Sequence, residues 1–290
     1  MQKQSYCVGN HYFSLSIPAY LDMKLGPYKS FRCDASPKTL FHFQALPKLS
    51  LQKKVKIINK LDNGIIAIDL FRLEDNGYRF HLTESGSSDY MIMDSDAFFS
   101  LAQIQIPDEK SSDSFLLHSA IMIIYAFATA KLDTLLMHAS VIKNDNQGIM
   151  FLGKSSTGKS THSQLWIDHI KHSDLLNDDN PVVRIIDDKA WVFGSPWSGK
   201  TPCYKNDNAP LNSIVRLRQA SANKINRLPA LQAYAAILPS CSCMRWEDDM
   251  MTGVHRTVEK LTAITDCYLL DCLPDQEAAG LAYSTIYKNK

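Results

Sequence analysis

Gly153-Lys154-Ser155-Ser156-Thr157-Gly158-Lys159-Ser160 fits the pattern G-x-x-x-x-G-K-[ST] at every position, and its reading decides the fold. In that pattern the backbone N–H groups of a glycine-rich turn wrap nucleotide phosphates. The lysine reaches the β/γ-phosphates, and the closing hydroxyl serves Mg²⁺. The flanks agree with the motif. Ile149-Met150-Phe151-Leu152 is an apolar run suited to a buried strand, and Leu165, Trp166, Ile167 and Ile170 cluster afterwards as on one face of a helix. Strand, loop, helix is the order that sets the positive end of a helix dipole beside an anion. The expected cofactors are ATP and Mg²⁺. The expected cofactor-binding residues are Gly153, Lys154, Ser155, Ser156, Thr157, Gly158, Lys159, Ser160 and Thr161, with Ser160 offering its hydroxyl to the metal.

A phosphate loop needs a second, acidic site to hold the metal and direct chemistry. Asp178-Asp179 follows the loop helix at the end of a predicted strand, where one carboxylate can ligate Mg²⁺ and the other accept a hydroxyl proton. The competing reading is a plain turn in Asn177-Asp178-Asp179-Asn180-Pro181. Asp187-Asp188 lies between two strand-like runs, Val182 to Ile186 and Ala190 to Phe193, and reads as hairpin turn chemistry. His138 falls mid-strand in Leu136 to Ile142, one strand before the loop; alone, such a histidine reads more readily as a satisfied core residue. Gly194-Ser195-Pro196-Trp197-Ser198-Gly199-Lys200 could bring a second cation to a transferring phosphoryl group, or be a surface loop with a solvated lysine.

Around this centre the chain changes texture. Residues up to about Gln105 read as β-rich, with strands near Val55, Gly64 and Tyr78 and turn chemistry at Asp62-Asn63-Gly64 and Asp75-Asn76-Gly77. The polar segment from Ile106 to Asp113 is the expected boundary, followed by a buried helix capped by Asp113 or Ser114 and running to about Lys131. From Leu135 strands and helices alternate, ending in a strand at Cys267 to Cys272 and a helix at Pro274 to Tyr287. The stretch from Cys241 to Asp249 has no legible pattern. We therefore divide the 290 residues into a β-rich region, 1–111, and an α/β catalytic domain, 112–290.

The formal net charge of +1 provides no global field for nucleic acid or an anionic membrane, so any anion site is local. Seven cysteines without zinc-ribbon spacing read as free thiols in a reducing compartment, and Cys241-Ser-Cys243 has no partner pair. No secretion signal or membrane-length apolar run is legible, so a cytoplasmic location is expected.

Met137-His138-Ala139-Ser140, the loop Gly153 to Ser160 and Asp178-Asp179 together resemble, in order and spacing, the catalytic domain of HPr kinase/phosphorylase. The nucleotide-binding core of ATP-dependent phosphoenolpyruvate carboxykinase is similar to the same trio. The resemblance covers roughly Leu135 to Ile186. It implies an α/β, P-loop (Walker A) nucleotide-binding fold of that type, with Lys159 on the β/γ-phosphates and Ser160 on Mg²⁺. One of Asp178 and Asp179 would be the metal partner and the other the general base, and we assign Asp179 with Ser160 to the metal. His138 would lie near the transferred phosphate. The loop departs from the family in lacking an extra glycine, and the family's arginine- and glycine-rich second signature is missing. The missing signature, and an N-terminal region without a match to that family's N-terminal domain, bear on the HPr protein as substrate.

The function so implied is a kinase that transfers the γ-phosphoryl group to a serine-type hydroxyl of a protein, peptide or small molecule. Its catalytic residues would be Asp178, Asp179, Lys159 and His138. The expected partners are a nucleotide and a hydroxyl-bearing acceptor, with a homo-oligomer admitted, and neither nucleic acid nor membrane. The rival from another class is a nucleotide-binding accessory protein that uses ATP as a switch for peptide or protein binding.

Overall fold

The computed structural model describes residues 2–49, 56–62, 64–87, 90–106, 114–199 and 201–288. Asp113 as a helix cap, the boundary segment 107–113, Val55, Asn63 and Lys200 lie outside the described residues. The chain forms two compact units, Met1–Ala128 and Thr129–Lys290. The helix Ser114–Thr129 thus belongs, but for its last residue, to the first unit, whereas the sequence reading placed it at the head of the second.

The first unit is built on strands β1 (Gln2–Val8), β2 (His11–Ile17), β3 (Arg32–Cys33), β4 (Thr39–Leu46), β5 (Lys56–Asp62), β6 (Ile66–Arg72), β7 (Tyr78–Glu84), β8 (Tyr90–Ser95) and β9 (Leu101–Gln105). They form one sheet in the order β3-β1-β2-β4-β9-β8-β7-β6-β5, in which the β2–β4 and β4–β9 pairs are parallel. Burial alternates along β4, so Phe41, Phe43 and Ala45 share one buried face. Helix α1 (Ala19–Asp22) is a single turn, while α2 (Ser114–Thr129) supplies Tyr125 and Phe127 to the aromatic core. There Phe13 stacks on Phe41 at 4.8 Å, and the Tyr125 hydroxyl donates to Val8 O at 3.0 Å. The turn read at Asp75-Asn76-Gly77 is present: Asn76 takes a positive φ, and Gly77 N donates to Asp75 Oδ1 at 2.9 Å.

The second unit is a mixed α/β structure. Its strands are β10 (Thr134–Leu136), β11 (Ala139–Asn144), β12 (Gln147–Leu152), β13 (Ser173–Asp179), β14 (Val182–Ile186), β15 (Lys189–Phe193), β16 (Asn208–Gln219), β17 (Lys224–Arg227) and β18 (Asp266–Cys272). The helices are α3 (Lys159–His169), α4 (Ala230–Ile237), α5 (Asp248–Ile264) and α6 (Gln276–Lys288). The sheet runs β10-β14-β15-β16-β12-β11-β13, and β18 adds to β16. Strands β12, β16 and β18 are parallel, and β16 is buried on both faces from Leu211 to Val215, as a central parallel strand requires. Trp166 of α3 and Ala278, Ala279, Ala282 and Ile286 of α6 pack on Ile149, Phe151, Val215 and Leu270, which closes one face of the sheet.

Two sequence expectations are corrected here. The strand expected through Leu136 to Ile142 is broken at Met137-His138, because the chain changes partners: β10 pairs with β14, whereas β11 pairs with β12 and β13. Met137 instead bridges Cys241, and His138 N donates to Ser240 O at 2.7 Å. The illegible stretch ends in the 17-residue helix α5. Its buried residues Met250, Val254, Val258 and Leu261 recur at helical spacing, and that stripe lies beyond Asp249, where the illegible stretch ends. Asp187 and Asp188 both have positive φ in the β14–β15 turn, as read.

Candidate functional site

Strand β11 runs antiparallel to β12 on one side and to β13 on the other, so β12 and β13 run the same way. Leu152, Ala139 and Asp179 stand in one row across the three strands. This register places the loop after β12, the residue before β11 and the end of β13 at one edge of the sheet. Gly153–Ser160, His138 and Asp178-Asp179 therefore converge although they are far apart along the chain. Helix α3 is pinned over this edge by a buried hydrogen bond of 2.7 Å between Ser140 Oγ and Ser163 Oγ.

Gly158, at φ +103°, precedes the first helical residue, Lys159. The buried Lys159 Nζ lies 2.9 Å from His138 Nε2, 3.1 Å from Gly153 O and 3.4 Å from Lys154 O. An ammonium only donates, so Nε2 of His138 accepts, and Nδ1 carries the ring proton toward Asp179 Oδ1 at 3.0 Å. The result is a continuous chain Lys159–His138–Asp179. Burial draws the Lys159 ammonium below its ordinary pKa, and the charges of Asp179 and Asp178 oppose that.

The two aspartates stand in different surroundings. Asp178 is 3% exposed, and Ser160 Oγ lies 3.1 and 3.0 Å from its two carboxylate oxygens. The Asp179 side chain is 35% exposed, next to a His138 side chain that is 42% exposed, and Asn180 Nδ2 donates to its Oδ2 at 2.7 Å. The sequence assignment of Asp179 to the metal does not match this placement, since Ser160 meets Asp178 and Asp179 meets His138. Adjacent residues at a strand end point to opposite sides, and that alternation separates them.

Asp179 holds φ +114°, a costly conformation for a residue with a Cβ. A brace maintains it. Gly199 N donates to Asp178 O at 2.7 Å, and Asp179 forms a β-bridge with Ser198. A Cβ on Gly199 would come 3.0 Å from Asp179 Cβ, tighter than an ordinary contact, so glycine eases the close approach. Beneath it the fully buried Asn177 donates to Ser195 Oγ at 3.2 Å and accepts from Asn180 N at 3.0 Å. The segment Gly194 to Trp197 is thus buried packing under the aspartates, not the surface loop that sequence left open.

On the other side of the glycine-rich loop, a cavity of about 290 Å³ is lined by Thr157, Thr161, Leu165, Gln219, Ala220 and Leu273, among others. Gln219 Nε2, at the end of β16, lies 3.4 Å from Ser156 O and 3.5 Å from Thr157 O. His162 also lines it, accepts from Trp166 Nε1 at 3.3 Å, and is driven by burial to a pKa of about 4.

Every expected loop residue lies in this neighbourhood, with Lys154, Ser155 and Ser156 exposed at its outer bend. Sequence reasoning quoted Asn177 only as part of a turn and Ser198 and Gly199 only as part of a loop, and did not single out Gln219, whose partners Ser156 O and Thr157 O are more than 60 residues away. Arg245 is turned to Leu238 O and Pro239 O, both at 3.4 Å. Among the described residues no group of three or more His, Cys, Asp or Glu side chains is arranged to hold a metal ion, Cys241 and Cys243 included. No described helix is long and apolar enough to cross a membrane.

No protein-family model matches the chain, and no curated protein matches it. Among solved structures, the HPr(Ser) kinase/phosphatase from Coxiella burnetii is similar over 53% of this chain and 88% of its own, at 14% identity and a TM-score of 0.32. That degree of likeness carries no argument for function.

Proposed function

We propose that the second unit is a nucleotide-dependent phosphotransferase that uses ATP and Mg²⁺ and transfers the γ-phosphoryl group to a hydroxyl. One observation carries this reading. Lys159, Ser160, Asp178, His138 and Asp179 converge at a single sheet edge beside a glycine-rich loop that opens a helix. A ring of loop amides and a helix N-terminus receive phosphate oxygens.

The residues present suit a hard cation. Ser160 Oγ and the Asp178 carboxylate sit about 3.0 Å apart, close to the separation of neighbouring oxygens in an octahedron with metal–oxygen bonds of about 2.1 Å. One hydroxyl and one carboxylate leave the remaining positions to phosphate and water, the usual arrangement for Mg²⁺. Bound there, Mg²⁺ supplies charge neutralisation on the phosphates.

Lys159 leaves its carbonyl and imidazole partners for the β/γ-phosphates. Asp179, half-buried and oriented by His138 and Asn180, takes the proton of the acceptor hydroxyl. A bond forms from that oxygen to the γ-phosphorus, and the bond to the β,γ-bridging oxygen breaks to release ADP. A cytoplasmic location accords with these substrates.

The test is transfer from γ-labelled ATP with Mg²⁺ into an extract separated into protein and small-molecule fractions. Wild type labels one fraction, which identifies the acceptor class. Asp179→Asn is expected to bind ATP and transfer at least about 100-fold more slowly. Bound ATP with no label in either fraction overturns the reading and favours a nucleotide switch.

A further inference from the structure

At the opposite edge of the same sheet lies a larger cavity, about 630 Å³, within the range of small-molecule sites. It is formed where β12, β16 and β18 begin, and its lining includes Gln147, Asn212 and Asp266. From Asn212 to Gln219 β16 spans eight residues, so the cavity stands about 20 Å from the glycine-rich loop. It is independent of the site described above.

Three features on its wall are not explained by packing. Asn212 is 8% exposed, and its only side-chain partner among the described residues is Ser213, whose hydroxyl donates to Asn212 Oδ1 at 2.9 Å. The Nδ2 amide has no protein acceptor among the described residues and is open to solvent, where a ligand acceptor can replace water. Thr265, 6% exposed and also lining the cavity, has a hydroxyl with no partner among the described residues. Lastly, Arg227 and Asp266 pair at the cavity mouth, with side chains 69% and 33% exposed. An ion pair so exposed contributes little to stability, yet it displays a guanidinium and a carboxylate side by side in a mixed lining that includes the apolar side chains of Leu228 and Ile264.

We infer that this cavity binds an apolar α-amino acid. A zwitterion replaces each half of the ion pair by its own opposite charge: its carboxylate meets Arg227 and Asn212 Nδ2, and its ammonium meets Asp266. The planar guanidinium suits a carboxylate in two-point contact. The side chain takes the place of water against Leu228 and Ile264. Neither a simple acid nor a simple amine satisfies both charges.

Calorimetric titration of the full chain with phenylalanine and leucine, beside phenylpropionate and phenethylamine, tests this. The amino acids are expected to bind and the two half-molecules to bind at least roughly tenfold more weakly. Asn212→Leu and, on the surface, Arg227→Gln should each weaken amino-acid binding by roughly tenfold or more, with circular dichroism unchanged. Absence of binding at millimolar amino acid overturns the inference, as does phenylpropionate matching phenylalanine or wild-type affinity in Arg227→Gln. ATP binding, measured in parallel, is expected to be the same in both variants, which separates failure here from failure of the phosphotransferase reading.

Discussion

Lys159 Nζ lies 2.9 Å from Nε2 of His138, a residue placed in the gap where one strand ends and the next begins. The lysine of the loop is thus held by a histidine 21 positions earlier, and through it by Asp179. Held this way the ammonium has three acceptors, His138 Nε2, Gly153 O and Lys154 O; in the proposed reaction it exchanges them for phosphate oxygens.

Removal of that cation is expected to weaken nucleotide binding. Lys159→Ala should raise the dissociation constant for ATP by tenfold or more, since a charged hydrogen bond contributes about 1.5–3 kcal/mol. Titration with a fluorescent ATP analogue reads this. An unchanged affinity excludes the loop as the phosphate site.

The two aspartates should part company in kinetics. Asp178→Asn, which removes the charge beside Ser160, is expected to raise the Mg²⁺ requirement for ATP binding. Asp179→Asn should leave that requirement unaltered and lower turnover. The reverse pattern would return the metal to Asp179.

Backbone strain at Asp179 gives a stability test that needs no substrate. With φ at +114°, Asp179→Gly should be more stable than Asp179→Ala by about 1 kcal/mol. At an ordinary strand position the order is opposite. Chemical denaturation of the two variants decides it.

His162 makes acid stability predictable. Its pKa falls from 6.5 to about 4, chiefly through burial, while Asp275 opposes the shift. Between those values the unfolded chain binds the extra proton, so stability is complete above pH 6.5 and declines as pH falls toward 4. The difference, 6.5 − 4 = 2.5, corresponds to about 3 kcal/mol. His162→Gln should flatten that part of the profile between pH 6.5 and 4; an unchanged slope would show that the histidine is already charged in the folded state.

The sequence by itself determined the strand, loop and helix around Gly153 to Ser160, the turns at Asp75-Asn76-Gly77 and Asp187-Asp188, and the identity of the charged residues near the loop. These are local: a turn needs residues that tolerate positive φ, and a helix needs its apolar stripe within a few turns. Only the tertiary structure decided that His138 stands in a strand break, that Asp178 turns to Ser160 while Asp179 turns to His138, and that Gly199 must approach Asp179 closely. Each depends on which strand lies beside which, and in what register. A one-residue slip of β13 against β11 would exchange the two aspartates between faces. Partners in this sheet come from Thr134 to Cys272, and no local pattern of side chains encodes a pairing across that distance.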